Sequence, residues 1–469
     1  MKVTLLWPLN IQYSPSLSLL YQAKLLETYF EVDVIYTNLL FCRDLLSAPR
    51  EFEENPQAAL NYVVKKVENT CPDAVFVGSW REHMPFVFEF CKRFKNRNPD
   101  TTIIAGGHNP TFLPQEVLQA ENSIDYVIRG EAEGSLDELL KALLFKKNIN
   151  HVEGVSFMQE NGNIVHTQGR SFVENLDELP LIDFENVLGH KVPERIDLRT
   201  QRGCWGTCSF CSLPNMFGKQ RYHSSEHVMK QLKHLRDLYD FEYFHLLDEN
   251  FLSNITRSKK LAQNIGTRFP DLEWGGMFRA DVVSQNVMGC LSHNNFIRAA
   301  VGLESNNPNI LKYLNKTPVV ESYIGRIPRI IKILSENLRS LEFGMIVGTP
   351  VEQKEDLDSV LKFIIETKQK HSSDFESFVV ALGRLIVHPG TKIYGDYLAG
   401  NIELFKNETE SETILEKELI ANYSGLPWAV PWHYYVRNFN FPSKDEQLKA
   451  LNEVISKAHD FRCGGVMDA

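Results

Sequence analysis

"RGCWGTCSFCS", residues 202–212, sets Cys204, Cys208 and Cys211 within eight positions and holds three of the chain's eight cysteines. It follows directly on an apolar, strand-like run, "IDLRTQ" (196–201). Downstream come further strand-like runs at 243–248, 272–278, 296–304, 341–348 and 378–387, separated by helical patterns. In one of these, "SSEHVMKQLKHLRDLY" (224–239), Val228, Leu232, Leu235 and Tyr239 fall on one stripe and a serine is available as N-cap. Six β/α units in a row predict a barrel or partial barrel. Chemistry in such folds collects at the C-terminal ends of the strands, where the three cysteines lie.

Upstream, residues 1–145 repeat the alternation with a shorter period. Strand-like runs are "VTLLW" (3–7), "VDVIYT" (32–37), "AVFVGSW" (74–80), "TTIIAGG" (101–107) and "YVIRG" (126–130), with helical patterns at 16–30 and 84–96. Continuous apolar strands separated by helices predict a parallel sheet covered on both faces, here doubly wound and flavodoxin-like. Ligands in that fold sit at the carboxyl ends of the strands. Residues 151–192 read as a linker with a hairpin turning at "ENGN", 193–398 as the barrel, and 399–469 as a helical and aromatic segment.

The totals narrow the function. The chain has 469 residues, 43% apolar and 23% charged, with a formal net charge of −10. That balance argues against a broad nucleic-acid-binding face. "MKVTLLWPLN" is too short an apolar run for a signal peptide, and no stretch reaches the length of a membrane span. The expected location is cytoplasmic, where clustered thiols hold metal more often than they form disulfides. The other five, Cys42, Cys71, Cys91, Cys290 and Cys463, are expected to be buried small hydrophobes.

Three thiolates spaced C-x-x-x-C-x-x-C can wrap one metal centre. A structural zinc site needs a fourth ligand, for which His223 is the candidate. An iron–sulfur cluster held by three thiolates would instead leave one iron open to a cofactor or substrate. The absence of a second ligand pair and the strand-end position favour the cluster.

The motif C-x-x-x-C-x-aromatic-C, present as Cys204, Cys208, Phe210 and Cys211, resembles that of the radical S-adenosylmethionine superfamily. Along the same region, "LLDENF" (246–251), "VGLES" (301–305), "GMIVGTPVEQKED" (344–356) and "HPGT" (388–391) resemble that family's later strand motifs, in order. The resemblance implies a 4Fe-4S cluster on the three cysteines, whose open iron binds S-adenosylmethionine and cleaves it to a 5′-deoxyadenosyl radical. It implies cofactor contacts from Phe210, Asp248, Glu249, Glu304, Ser305 and Ile346, with Arg279 facing the methionine carboxylate. The N-terminal region resembles the cobalamin-binding domain of one large class of that superfamily, and the whole likeness covers roughly residues 1–395. It implies a corrinoid pocket around Gly78, Ser79, Gly106, Gly107 and Gly130. No D-x-H-x-x-G occurs, so a protein imidazole on cobalt is not expected, and His83 and His108 read as loop histidines.

That class implies a small-molecule substrate, an electron donor such as flavodoxin or ferredoxin, and methyl transfer to an unreactive carbon or phosphorus. Cyclisation, dehydration or rearrangement is the alternative chemistry on the same scaffold. A methylthiotransferase would need a second cluster on Cys42, Cys71 and Cys91, whose contexts do not match. A zinc-stapled binding protein is the remaining class. Segment 423–436, with Trp428, Trp432, His433, Tyr434 and Tyr435, reads as tail packing, and as the candidate cover of the barrel mouth.

Overall fold

The structure is a computed structural model. It describes residues 1–8, 16–36, 56–79, 84–169, 172–187, 195–406 and 434–460. Cys42, Trp80, His83, Trp428, Trp432, His433 and Cys463 lie outside those residues. The described chain divides into two compact units, one ending before residue 195 and one beginning there.

The first unit is built on seven strands: β1 (Lys2–Trp7), β2 (Glu31–Tyr36), β3 (Ala74–Ser79), β4 (Thr102–Gly107), β5 (Tyr126–Ile128), β6 (Val155–Met158) and β7 (Ile164–His166). Their order is β2-β1-β3-β4-β5-β6-β7. The first five pair in parallel, in the 2-1-3-4-5 order of flavodoxin-like sheets. All six residues of β3 are buried, as expected of a strand covered on both faces. Helices Leu17–Leu26, Pro56–Glu68 and Met84–Arg97 and the short pair His108–Phe112 and Pro114–Ala120 make the crossovers, and Ala132–Leu144 leads from β5 to β6. The hairpin at 155–166, which the sequence suggests is a connecting segment, pairs antiparallel with β5 and extends this sheet.

The second unit is an open, parallel six-stranded sheet in sequential order. Its strands are β8 (Ile196–Leu198), β11 (Tyr243–Leu246), β12 (Glu273–Arg279), β13 (Phe296–Glu304), β14 (Ser340–Val347) and β15 (Ser377–Arg384). Between β8 and β11, the short strands β9 (Gln201–Arg202) and β10 (Arg221–Tyr222) form an antiparallel pair. β14 alternates strictly between half-buried and buried residues, with Leu341, Phe343, Met345 and Val347 on the covered face. The core beneath β11–β13 is aromatic: Trp274 stacks on Phe244 and meets Phe251 and Phe296 edge-on. This is the partial (β/α)6 arrangement expected from the sequence. After it the expected α-rich tail also contains a short hairpin, β16 (Leu404–Lys406) with β17 (Tyr434–Val436), before helix Lys444–Asp460. Three-residue strands whose pairing spans a gap of this length leave no readable alternation.

Two cysteine expectations need correction. Cys91 is buried, but Cys71 is exposed and Cys290 only half-buried. Cys71 sits in a left-handed turn (φ 50°) between helix Pro56–Glu68 and β3, where no core reaches it.

Candidate active site

The cysteine loop is closed at its base by the β9–β10 pair, so residues 203–220 leave and return at one point. Gly203 makes the exit turn at φ +87°, with the Lys219 carbonyl where a Cβ would approach. The loop is tied to later segments. Ser209 donates its N–H to Leu314 O (2.9 Å) and its hydroxyl to Tyr313 O (2.9 Å). Ile393 N–H donates to Ser209 O (3.1 Å), and Asn315 Nδ2 donates to Thr207 O (2.8 Å). Cys204, Cys208, Cys211 and Phe210 are all half-buried.

The three thiols are not drawn together into a tetrahedral group. Tetrahedral zinc would draw its ligand atoms into a tight group, yet no such group among the described residues, within 4.8 Å, includes these cysteines. His223 instead stacks on His227 at 4.4 Å between centroids. Burial pushes the Cys204 thiol up, opposed by the Gly206 N–H that donates to its sulfur (3.3 Å) and by the charge of Arg279.

The two adjacent carboxylates at the end of β11 have different surroundings. Asp248 is fully buried. It accepts the N–H of Thr200 (2.6 Å), the hydroxyl of Thr200 (2.5 Å) and the N–H of Gln201 (3.2 Å). Its carboxylate therefore holds the backbone turn that launches the cysteine loop, which competes with the expected cofactor contact. Glu249 is also sequestered, with its side chain 4% exposed, but neither oxygen has a hydrogen-bond partner among the other described residues. Arg199 Nη2 lies 3.5 Å from Oε1. Burial raises the Glu249 carboxyl, with Arg199 pulling it back. A buried carboxylate lacking donors is costly unless a ligand supplies them, and an ammonium group would do so. On this observation the site fits S-adenosylmethionine.

Across the neighbouring strands, Gly302, Gly344 and Ala381 stand in register, a row of small residues. A Cβ on Gly344 would meet nothing within 4 Å, so the sheet face is open beside half-buried Ile346. Glu304 ends β13 at φ +67°, an uncommon conformation for a non-glycine residue. Its carboxylate accepts Lys316 Nζ at 2.8 Å, with both side chains largely buried. Ser305, also buried, accepts the Asn307 N–H (3.0 Å). Arg279 closes the ring: Nη1 donates to Cys208 Sγ (3.2 Å), and Nε and Nη2 reach Asp281 (3.0 and 2.7 Å). Lys316, Asp281 and Trp205 belong to this cluster but were not singled out by sequence. The R-x-D spacing of Arg279 and Asp281 was the one available signal.

Beyond β14, Glu352 folds back under its own loop and accepts the Gly348 N–H (2.7 Å). Asn438 Nδ2 from the tail donates to Thr349 O (3.0 Å) and Glu352 O (2.6 Å), so the tail braces this loop. Burial pushes the Glu352 carboxyl up from 4.5 to about 8. The folded state thus keeps a proton that the unfolded chain releases near its ordinary pKa. The resulting stability is fully present below pH 4.5 and is lost as pH rises through about 8. Wild type is expected to lose about 2–3 kcal/mol between about pH 6 and 8.5 through this group. E352Q, with an uncharged amide, should show a flatter pH dependence of thermal unfolding. Parallel curves for the two proteins would refute this.

In the first unit, the five residues expected to meet a corrinoid gather at the C-terminal edges of β3, β4 and β5. Gly78, Ser79 and Gly106 are buried, and Gly107 and Gly130 are half-exposed. Packing accounts for part of the glycine usage: a Cβ at Gly78 would strike the Trp7 ring, and one at Gly106 the Phe76 ring. Gly107 (φ +111°) and Gly130 (φ +79°) present backbone at the edge, bridged by Thr111, whose hydroxyl donates to Gly107 O (2.6 Å) and accepts the Gly130 N–H (2.9 Å). His108 is buried, pairs with Asn109 Oδ1 at 3.0 Å and lies edge-on to Phe112. This edge fits a group held by backbone and small residues, with His108 turned to its own helix.

In the described tail, Tyr435 stacks on Phe405, and Arg384 lies over its ring and bonds its hydroxyl. Burial raises the Tyr434 hydroxyl.

Comparison with known proteins agrees with this layout. Residues 13–140 match the B12 binding domain profile, and 198–364 match that of the radical SAM superfamily. The chain is a radical S-adenosylmethionine protein with an N-terminal B12-binding domain. An uncharacterised methyltransferase of Pyrococcus horikoshii is 27% identical over 358 residues, 75% of each chain. An anaerobic magnesium-protoporphyrin IX monomethyl ester cyclase of Synechocystis is 24% identical, over 54% of this chain and 52% of its own length. The chain therefore spans about half the length of that cyclase. The solved structure of TsrM, a radical S-adenosylmethionine methyltransferase from Kitasatospora setae, superposes with a TM-score of 0.72 at 16% identity. That match covers 98% of this chain and 89% of TsrM and shows the shared fold. No helix among the described residues is long and apolar enough to cross a membrane.

Proposed function

We propose that this enzyme transfers a methyl group to an unreactive carbon or phosphorus of a small-molecule substrate. The observation that carries the reading is local. Three clustered thiols share a barrel-type strand end with Glu249, a buried carboxylate that has Arg199 at 3.5 Å but no hydrogen-bond donor among the other described residues. Cys204, Cys208 and Cys211 would hold the 4Fe-4S cluster, and Glu249 would accept the ammonium of S-adenosylmethionine. Asp248 positions the loop, Glu304 and Ser305 line the next strand end, and Ile346 offers apolar surface beside the open space at Gly344. Gly107 and Gly130 would meet the corrinoid through backbone, with Gly78, Ser79 and Gly106 shaping the edge behind them. When bound, these groups supply a hydrogen-abstracting 5′-deoxyadenosyl radical and a cobalt-borne methyl group.

Methyl transfer is preferred to cyclisation because the relative matched over three quarters of both chains is named a methyltransferase, whereas the cyclase matches over about half. The electron donor would be a low-potential protein such as flavodoxin or ferredoxin, in a cytoplasmic setting that keeps the thiols reduced. The test needs no substrate. Anaerobic, reduced protein carrying cobalamin is given S-adenosylmethionine with a labelled methyl group. Label on the corrinoid together with S-adenosylhomocysteine is expected. Formation of 5′-deoxyadenosine and methionine alone, with the corrinoid unlabelled, would replace methyl transfer by a cyclase or rearrangement reading.

A further inference from the structure

We infer that Arg279 tunes the iron–sulfur site through the Cys208 sulfur, and that residue 206 is glycine to admit its guanidinium. The inference rests on the cluster assignment proposed above. The guanidinium, 7% exposed, is committed almost completely. Of its five N–H groups, Nε spends one on Asp281. Nη2 spends two, on Asp281 and on the Lys316 carbonyl. Nη1 spends one on Cys208 Sγ at 3.2 Å. The Trp205 ring lies across the guanidinium at 4.6 Å. One N–H is left, too few for the two-pronged grip on a methionine carboxylate that the sequence resemblance implies.

An independent observation comes from the loop. A Cβ at position 206 would lie 2.8 Å from Arg279 Nη1 and 3.4 Å from Cys204 Sγ. Gly206 has no positive φ to explain it. Its missing side chain is the space that the guanidinium fills. A fixed positive donor on a ligating sulfur favours the reduced cluster, because the added electron strengthens both the hydrogen bond and the charge attraction. Asp281 and the Lys316 carbonyl fix the direction of that donor.

The experiment uses full-length protein, reconstituted anaerobically and titrated with a low-potential reductant while the reduced-cluster spin signal is followed. Binding of S-adenosylmethionine is measured by equilibrium dialysis. For R279Q, iron content should stay at the wild-type level. The reduced-to-oxidised ratio at a given potential should fall about tenfold, a shift of 59 mV to more negative potential for one electron. R279K, which keeps the charge, should recover part of the shift. G206A, which displaces the guanidinium without removing it, should move the potential the same way. Binding of S-adenosylmethionine should change less than threefold in all of them. An unchanged potential in R279Q with tenfold weaker binding would overturn the inference and make Arg279 a carboxylate clamp. Loss of iron in R279Q with a wild-type potential in G206A would overturn it too. A wild-type chain that assembles no cluster would sink both this and the proposed function, which separates the two failures.

Discussion

Alanine at any one of Cys204, Cys208 or Cys211 is expected to take anaerobically reconstituted protein from about four iron and four sulfide per chain to near zero. Three ligands leave no spare, and no group among the described residues that could hold a metal joins another side chain to these cysteines, Arg279 on the Cys208 sulfur being a cation. The remaining cysteines should behave differently. Cys91 is buried, and burial first, then the nearby carboxylates Glu121 and Asp125, push its thiol well up, so it is a poor source of thiolate. Cys71 is exposed on a turn and Cys290 half-buried in helix Gln285–Ser292. Alanine at these positions, or at Cys42, should leave iron and sulfide unchanged. Loss of a second cluster in the Cys42, Cys71 or Cys91 variants would point to methylthiotransferase chemistry instead. Zinc without labile sulfide in the wild type would return the protein to the metal-stapled binding class.

The β/α alternation was legible because parallel strands covered on both faces are continuous apolar runs, and five appear before residue 131. The C-terminal hairpin was not, since β16 and β17 are three residues each and pair across a long separation. The edge hairpin β6–β7 was visible as a hairpin, but its partner was not: nothing in "VEGVSFMQ" states that it will pair with β5. The cysteine spacing is local and could be read directly. The division of labour around it is not. Arg279, Lys316 and Gly206 lie far apart in sequence, and only folding brings the guanidinium to the Cys208 sulfur and into the space over Gly206. Asp248 and Glu249 are neighbours of like charge with no sequence feature to separate them. Both lie past the end of β11, in the loop and turn that follow it, and there the fold brings Asp248 to the N–H groups of Thr200 and Gln201 and leaves Glu249 beside Arg199.

That difference gives the second large effect. Removing the Asp248 carboxylate should act on the fold first and on the cofactor only as a consequence. D248A leaves the N–H groups of Thr200 and Gln201 and the Thr200 hydroxyl without their acceptor, in a place with no access to water. Each bond to a charged group is worth about 1.5–3 kcal/mol, and they share one carboxylate, so their sum is not additive. A loss of about 3–5 kcal/mol of stability is the expected scale. Because the same turn leads into β9 and the cysteine loop, iron uptake should fall along with it. D248N can keep its oxygen on the N–H groups of Thr200 and Gln201 and turn its NH2 to the Thr200 hydroxyl, which can accept, so it should destabilise less than D248A. E249Q is the contrast. Its carboxylate accepts no hydrogen bond from the other described residues and sits 3.5 Å from Arg199. The fold and the iron content should therefore survive, while binding of S-adenosylmethionine weakens at least tenfold through loss of the charge that meets the ammonium. Thermal unfolding, iron content and equilibrium dialysis on the three variants decide the matter. If D248A unfolds at the wild-type temperature with full iron and binds S-adenosylmethionine tenfold more weakly, Asp248 touches the cofactor and the loop is held by something else.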